Sequence, residues 1–179
     1  MSNDPNDRNE RRRRWFLAYP ELTVKPSMKR RKPGHDYHGV AIYLVTLCVE
    51  GRRPLLGTIN STDKYHVKPW VKLSELGQHV KQTWLNIPQF HPEVKLIAFQ
   101  PMPDHIHGIL HVTRPMKCHL GRIIQGFKKG CYDALLSSAP AGVRPTSLWE
   151  EGFNDRILHE DGQLKRWFNY LNDNPRSYG

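Results

Sequence analysis

The sequence predicts an α+β domain, an antiparallel sheet with helices packed on it. Three observations carry that expectation. Apolar patterns follow one another as strand, helix, strand, strand, helix, strand, helix, with no internal repeat. The segment His105–Val112 (HIHGILHV) alternates two kinds of side chain, as a half-buried strand does. The length, 179 residues with 38% hydrophobic side chains, suits one core and one domain.

Residues 1–36 read as a basic N-terminal extension, and residues 37–179 as the single folded domain. Ten basic and four acidic side chains in residues 1–32 give 10 − 4 = +6 of the chain's net +10. Arg11, Arg12, Arg13 and Arg14 form its densest run, followed by an aromatic patch, Trp15 to Tyr19, that can dock on the body. The body opens with Val40–Glu50, β-branched and apolar, a central strand. After the turn Gly51-Arg52-Arg53-Pro54, Leu55–Ile59 reads as a short return strand. Ser74 caps a helix whose Leu76, Val80, Trp84 and Ile87 share one face, and Pro88 ends it. Val94–Phe99 and His105–Val112 are the next strands. A second helix spans about His119–Ser137, burying Leu120, Ile123, Ile124, Phe127, Cys131 and Leu135. Its Gly121, Gly126 and Gly130 imply close approach of another backbone. Ser138–Thr146 is Pro/Gly-rich and loop-like. Phe153–Leu158 makes a last strand. A final helix, from about Asp161 to Asn174, carries a core stripe of Leu164, Phe168 and Leu171 with Trp167 at its edge. This order is that of a ferredoxin-like, or RRM-like, antiparallel sheet.

Composition narrows the function. A net charge of +10 and pI near 9.7 point to a polyanion, nucleic acid before an anionic membrane surface. Cys48, Cys118 and Cys131 are odd in number and contain no C-x-x-C, which excludes a zinc finger or a disulfide scaffold and suits reduced thiols in the cytoplasm. The N-terminus has no apolar core to serve as a signal peptide. The longest greasy run, Val40–Val49, interrupted by Thr46, is too short to cross a bilayer.

The chemistry concentrates in two places. On the strand His105–Val112, Ile106, Gly108, Leu110 and Val112 share one face; His105, His107 and His111 share the other with Ile109. Next-but-one Cα atoms on a strand are roughly 6.6 Å apart, so the imidazoles of His105 and His107 can converge on one cation. The residues that follow lack the Asp and His of a metallo-β-lactamase site and the Glu of a cupin. Two histidines with an incomplete shell leave room for water and a phosphate, as a Lewis-acid Mg2+ or Mn2+ site requires. On the final helix Tyr170 lies about 120° from the core stripe and one turn before Asn174, so the two stack on one face. With an H-x-H strand in the same small domain, Tyr170 reads as a functional residue rather than a surface one.

Five blocks in this order resemble the single-tyrosine HUH transposases, most closely the REP-associated tyrosine transposases and their insertion-sequence relatives. They are LSELGQHVKQTWLNIP (Leu73–Pro88), MPDHIHGIL (Met102–Leu110), GRIIQGFKKG (Gly121–Gly130), LWEEGFNDRIL (Leu148–Leu158) and FNYLNDNP (Phe168–Pro175). The resemblance runs from about Met28 to the C-terminus. It implies that His105 and His107 are metal ligands, that Tyr170 is the nucleophile and that Asn174 completes the metal shell. It further implies action on single-stranded DNA beside a hairpin, through a 5′-phosphotyrosine with a free 3′-OH. Asp104 stands where the family usually has Asn, and Glu150 where Gln is common. Lys128, Lys129 and Arg122 on the second helix, with Arg11–Arg14, are candidates for holding the strand.

Three functions compete: a DNA strand transferase, a decayed module that only grips hairpin DNA, and a metal-dependent phosphoesterase using water. The set His105, His107, Tyr170 favours the first; the stop four residues after Pro175 favours the second. A homodimer remains open, as does whether the tyrosine helix serves its own chain or a partner's.

Overall fold

The structure, a computed structural model, describes residues 31–60, 69–137, 145 and 147–176. Arg11–Arg14 and the Trp15–Tyr19 patch lie outside these residues, as does the loop 138–146 apart from Pro145.

Along the chain come β1 (Ala41–Cys48), β2 (Gly57–Asn60), β3 (Trp70–Leu73), α1 (Glu75–Leu85), β4 (Val94–Pro101), β5 (His105–Val112), α2 (Leu120–Ser137), β6 (Asn154–Ile157) and α3 (Gln163–Asp173). Single helical turns occupy Glu50–Arg52, Ile87–Phe90 and Asn174–Arg176. Four strands form one sheet in the order β4-β5-β1-β6, every neighbour antiparallel. The crossover through α1 sets β4 parallel to β1, and the β4–β5 hairpin folds β5 back between them. This is the ferredoxin-like, α+β arrangement that the sequence predicts. The segment expected to return along β1 does otherwise: β2 pairs with β3 in a separate two-stranded ribbon.

Local chemistry sets the helix limits. The Ser74 hydroxyl accepts from the Gly77 N–H at 3.0 Å and donates to the Leu55 carbonyl at 2.7 Å, which caps α1 and ties it to the ribbon. Pro88 falls in the turn that follows and prevents α1 from continuing.

Side-chain alternation splits the strands between two layers. Tyr43, Val45 and Leu47 of β1 and Ile106, Leu110 and Val112 of β5 join Val80 and Trp84 of α1 and Ile123, Ile124 and Phe127 of α2 in the main core. On the other face Leu44 and Ile109 meet Trp167 and Leu171 of α3. The register slips between Leu96 and Ala98 of β4, so Phe99 still faces Trp84, with the rings stacked 5.5 Å apart.

Two glycines are dictated by close approach. A Cβ on Gly108 would overlap the Trp84 ring, and one on Gly77 would overlap the Leu56 carbonyl. The glycines of α2 behave differently from expectation. Gly126 faces open space, and Gly130 meets the Thr83 side chain at 3.0 Å rather than a backbone.

In α3 the buried pair is Trp167 and Leu171, one turn apart, while Phe168 is only half-buried. Trp167 is thus the centre of the apolar face and not its edge, because the larger ring covers more of the Leu44–Ile109 surface. Residues 31–36, placed by sequence in the extension, are fastened to the body. Arg31 pairs with Asp155 of β6, and the Tyr37 hydroxyl donates to the same carboxylate at 2.8 Å. Cys48, Cys118 and Cys131 are all free thiols. Among the described residues no helix is long and apolar enough to cross a membrane.

Candidate active site

The face of β5 that carries Ile109 also carries His105 and His107, so both histidines lie under α3. Antiparallel register sets Thr46 of β1 opposite His107, and Cys48 opposite His105. The two imidazoles are nearly perpendicular, ring centres 4.8 Å apart. Tyr170, half-exposed on α3, brings its ring to 5.2 Å from that of His107. Its hydroxyl lies 3.3 Å from His107 Nε2. Asn174, one turn on, is 9% exposed. Within the one chain, Tyr170 thus meets the histidine pair.

Each imidazole is held by its other nitrogen. His107 Nδ1 is 2.8 Å from Thr46 Oγ1, and His105 Nδ1 is 2.6 Å from Asp104 Oδ1. With Nδ1–H donating in both rings, Nε2 becomes the lone-pair nitrogen. Asp104 is 5% exposed, and its other oxygen takes Arg52 Nε at 3.0 Å. Arg52 has φ of 55°, in the left-handed region that costs a side-chain-bearing residue about 1 kcal/mol or more. That backbone turns the guanidinium onto Asp104.

Burial dominates the electrostatics of His107. Desolvation, then the nearby His105, Arg156 and Arg52, push its pKa from 6.5 down to about 3. At neutral pH this imidazole is uncharged and its lone pair available. The same shift sets an acid limit. Below pH 6.5 the histidine of the unfolded chain takes up a proton that His107 in the folded chain refuses until about pH 3. Its contribution to stability is complete above pH 6.5 and is lost as pH falls toward 3, by on the order of a few kcal/mol. Denaturant titrations between pH 7 and pH 3, on wild type and His107→Gln, should show a shallower acid loss in the variant. Parallel pH profiles would contradict it.

The α2 cations lie elsewhere. Ile123, Ile124 and Phe127 turn α2 onto the sheet face opposite the histidines. Lys128, expected to be exposed, is part-buried and donates to the carbonyls of Glu150, at 2.7 Å, and Gly152. Burial brings its pKa down to about 8, against the raising pull of Glu151, Cys48 and Glu150. It ties the 150–152 loop to α2. Lys129 is exposed but paired with Asp133 at 2.6 Å, and Arg122 is exposed with its guanidinium toward Gln125. The structure brings none of the three beside His105 and His107.

Sequence reasoning missed Thr46, the Asp104–Arg52 pair as a support, and Arg156. The last is exposed on β6 opposite Leu44, on the histidine side of the sheet. Thr46 gave one signal, as the polar interruption of the greasiest run. Asp104 gave another, as a carboxylate preceding H-x-H. Arg52 and Arg156 gave none, because only pairing across the sheet brings them near.

No protein-family model matches the chain. A protein of unassigned function from Haemophilus influenzae strain Rd is 26% identical over 161 residues, 79% of this chain and 83% of its own length. Among solved structures, a REP-associated tyrosine transposase bound to a REP hairpin matches with a TM-score of 0.57. The fold is that of a REP-associated tyrosine transposase. The match covers 83% of this chain and 74% of the transposase, at 16% sequence identity. A likeness this remote in sequence is one of backbone path. The hairpin belongs to the transposase of that structure.

Proposed function

We propose that the chain is a single-tyrosine HUH transposase, a metal-dependent single-stranded DNA endonuclease and strand transferase that works beside hairpins. The observation that carries this reading is the Tyr170 hydroxyl at 3.3 Å from His107 Nε2, with His105 alongside. Tyr170 is the catalytic nucleophile. Its oxygen forms a bond to phosphorus as the P–O3′ bond breaks; the phenol proton leaves, and the departing 3′-oxygen is protonated to a free 3′-OH. The product is a 5′-phosphotyrosine, which keeps the ester energy, so rejoining needs no ATP.

A phenol with an ordinary pKa near about 10 is a poor nucleophile at neutral pH. A divalent cation, Mg2+ or Mn2+, supplies charge neutralisation at the phosphate when bound. The donor types suit such an ion: two imidazoles, each with Nδ1 engaged, and the buried Asn174 amide one turn beyond Tyr170. Two imidazoles and one amide would leave positions in the shell for water and a phosphate oxygen. His105 and His107 would hold the cation, and Tyr170 keeps its hydroxyl within 3.3 Å of His107 Nε2, where the phosphate would be presented. Arg52 and Arg156 supply positive charge on the face a phosphate would approach. One chain carries the whole set, so the reading needs no homodimer. Free cysteines suit work in the cytoplasm.

The test of this reading is a matched set of oligonucleotides: each strand of a hairpin-forming site, their duplex, and a strand with its stem scrambled. One hairpin strand should be cut in Mg2+ or Mn2+, and the duplex left intact. A stiff duplex cannot fold its backbone onto a half-buried histidine pair without unpairing. Equal cutting of the duplex, with release of a 5′-phosphate, would favour the water-using phosphoesterase.

The Asp104 contact gives a further expected result. Asp104→Ala should lower Mn2+ affinity about 10- to 100-fold, because His105 loses the acceptor that fixes its ring. Asp104→Asn keeps a carbonyl oxygen and should recover most of it. Electron paramagnetic resonance of Mn2+ reads both, and equal affinity in all three proteins would contradict the supporting role.

A further inference from the structure

A groove of about 320 Å3 opens beside the tyrosine–histidine site, between the β2–β3 ribbon and the end of α3. Its lining includes Trp70, Lys81 of α1, Gln100 of β4, and Asn172 and Pro175 beyond Tyr170. Three features of it call for an occupant.

First, Trp70 is 50% exposed. It is a large aromatic on a two-stranded ribbon, an element too small to be stable without packing. Strand alternation sets Trp70 and Lys72 on the same side of β3, and both are exposed. Second, the groove borders the strand next to the histidines. Gln100 is the register partner of His107 on β5, so its side chain shares the histidine face of the sheet. Asn172 and Pro175 bring the end of α3 and the turn after it to the same groove. Third, the described lining holds an ammonium and no carboxylate. A flat π surface, two side-chain amides and a lysine in a space of this size match one nucleotide: base face, base edge and phosphate.

We infer that this groove binds the unpaired nucleotide next to the scissile phosphate, with its base stacked on Trp70 and its phosphate toward Lys81. The inference rests on the proposed reading of Tyr170 and adds a subsite to it. Register of the cut would then be set partly by the groove, since a base seated on Trp70 fixes which phosphate lies under Tyr170.

The experiment uses the full chain and a fluorescein-labelled hairpin oligonucleotide with a single-stranded flank, each flank nucleotide replaced in turn by an abasic residue. Wild type should lose about five- to hundred-fold in affinity at one flank position, the range that loss of one base–aromatic stack gives. Trp70→Ala should show a similar loss on intact DNA and little more at that abasic position, whereas Trp70→Phe should keep most of the affinity and the positional loss. Lys81→Gln should flatten the dependence of log K on log[salt] by about 0.7. Circular dichroism melting checks that each variant is folded; should Trp70→Ala not fold, Trp70→Phe and Lys81→Gln decide. The same abasic profile in wild type and Trp70→Ala, or an unchanged salt slope in a chain that still cuts DNA, would overturn the groove alone. A wild-type chain that binds none of the strands would overturn the proposed function and the groove with it. Uniform binding of the abasic series by wild type would mean that a partner other than a base, such as a protein segment, covers Trp70.

Discussion

Tyr170→Phe should abolish strand cleavage, by on the order of 10^4-fold or more, while leaving folding and DNA binding close to wild type. Loss of a covalent nucleophile removes the reaction path, and effects of that size follow in other enzymes that use one. The fold should not notice. Tyr170 lies half-exposed at the edge of the α3 face that meets the sheet, and the helix is held by Trp167 and Leu171. A change of this kind at an exposed position shifts stability by about 0.5 kcal/mol or less. Cleavage by the variant at the wild-type rate, or mass spectrometry placing a DNA adduct on Tyr37, Tyr132 or Tyr178, would remove Tyr170 from the mechanism.

His105→Ala and His107→Ala should each eliminate metal-dependent cleavage, and the double variant should lose measurable affinity for Mn2+ by calorimetry. His111→Ala should cost far less. His111 shares their face of β5 but pairs with Ile42 of β1 and Lys95 of β4, beyond Ile109 and away from Tyr170. His107→Ala carries a structural penalty as well, since the ring is 4% exposed and Thr46 would lose its partner. Stability should therefore fall by about 1–3 kcal/mol. Metal affinity separates the two effects: a folded double variant with wild-type affinity would rule the histidine pair out as the cation site.

Both predictions concern residues that were legible in the sequence, and the reason is local. Alternation along His105–Val112 places two histidines on one face whatever the sheet contains. The helical angle separates Tyr170 from the apolar stripe whatever the helix covers. What depended on distant partners was not legible. Trp167 becomes the anchor of α3 only because Leu44 and Ile109 form a surface wide enough for an indole. Lys128 looks like a free cation until the 150–152 loop offers it two carbonyls. The β2–β3 ribbon rests on pairing between segments that carry little periodicity of their own, so β2 read as a return strand of β1 and Trp70 passed unnoticed. Asp104 stood out as an oddity before H-x-H; that it holds His105 and is itself held by Arg52 required a turn at Gly51-Arg52 in left-handed backbone.

Formation of the covalent bond is the step on which everything else depends. A hairpin strand labelled on the fragment 3′ of the cut, incubated with the full chain and Mg2+ or Mn2+, should yield a protein–DNA band that survives a denaturing gel. That band should disappear on protease treatment, be absent with Tyr170→Phe, and leave a free 3′-OH on the other fragment. Cut DNA that carries a 5′-phosphate and no attached protein would contradict the account, and so would an adduct that forms undiminished in Tyr170→Phe.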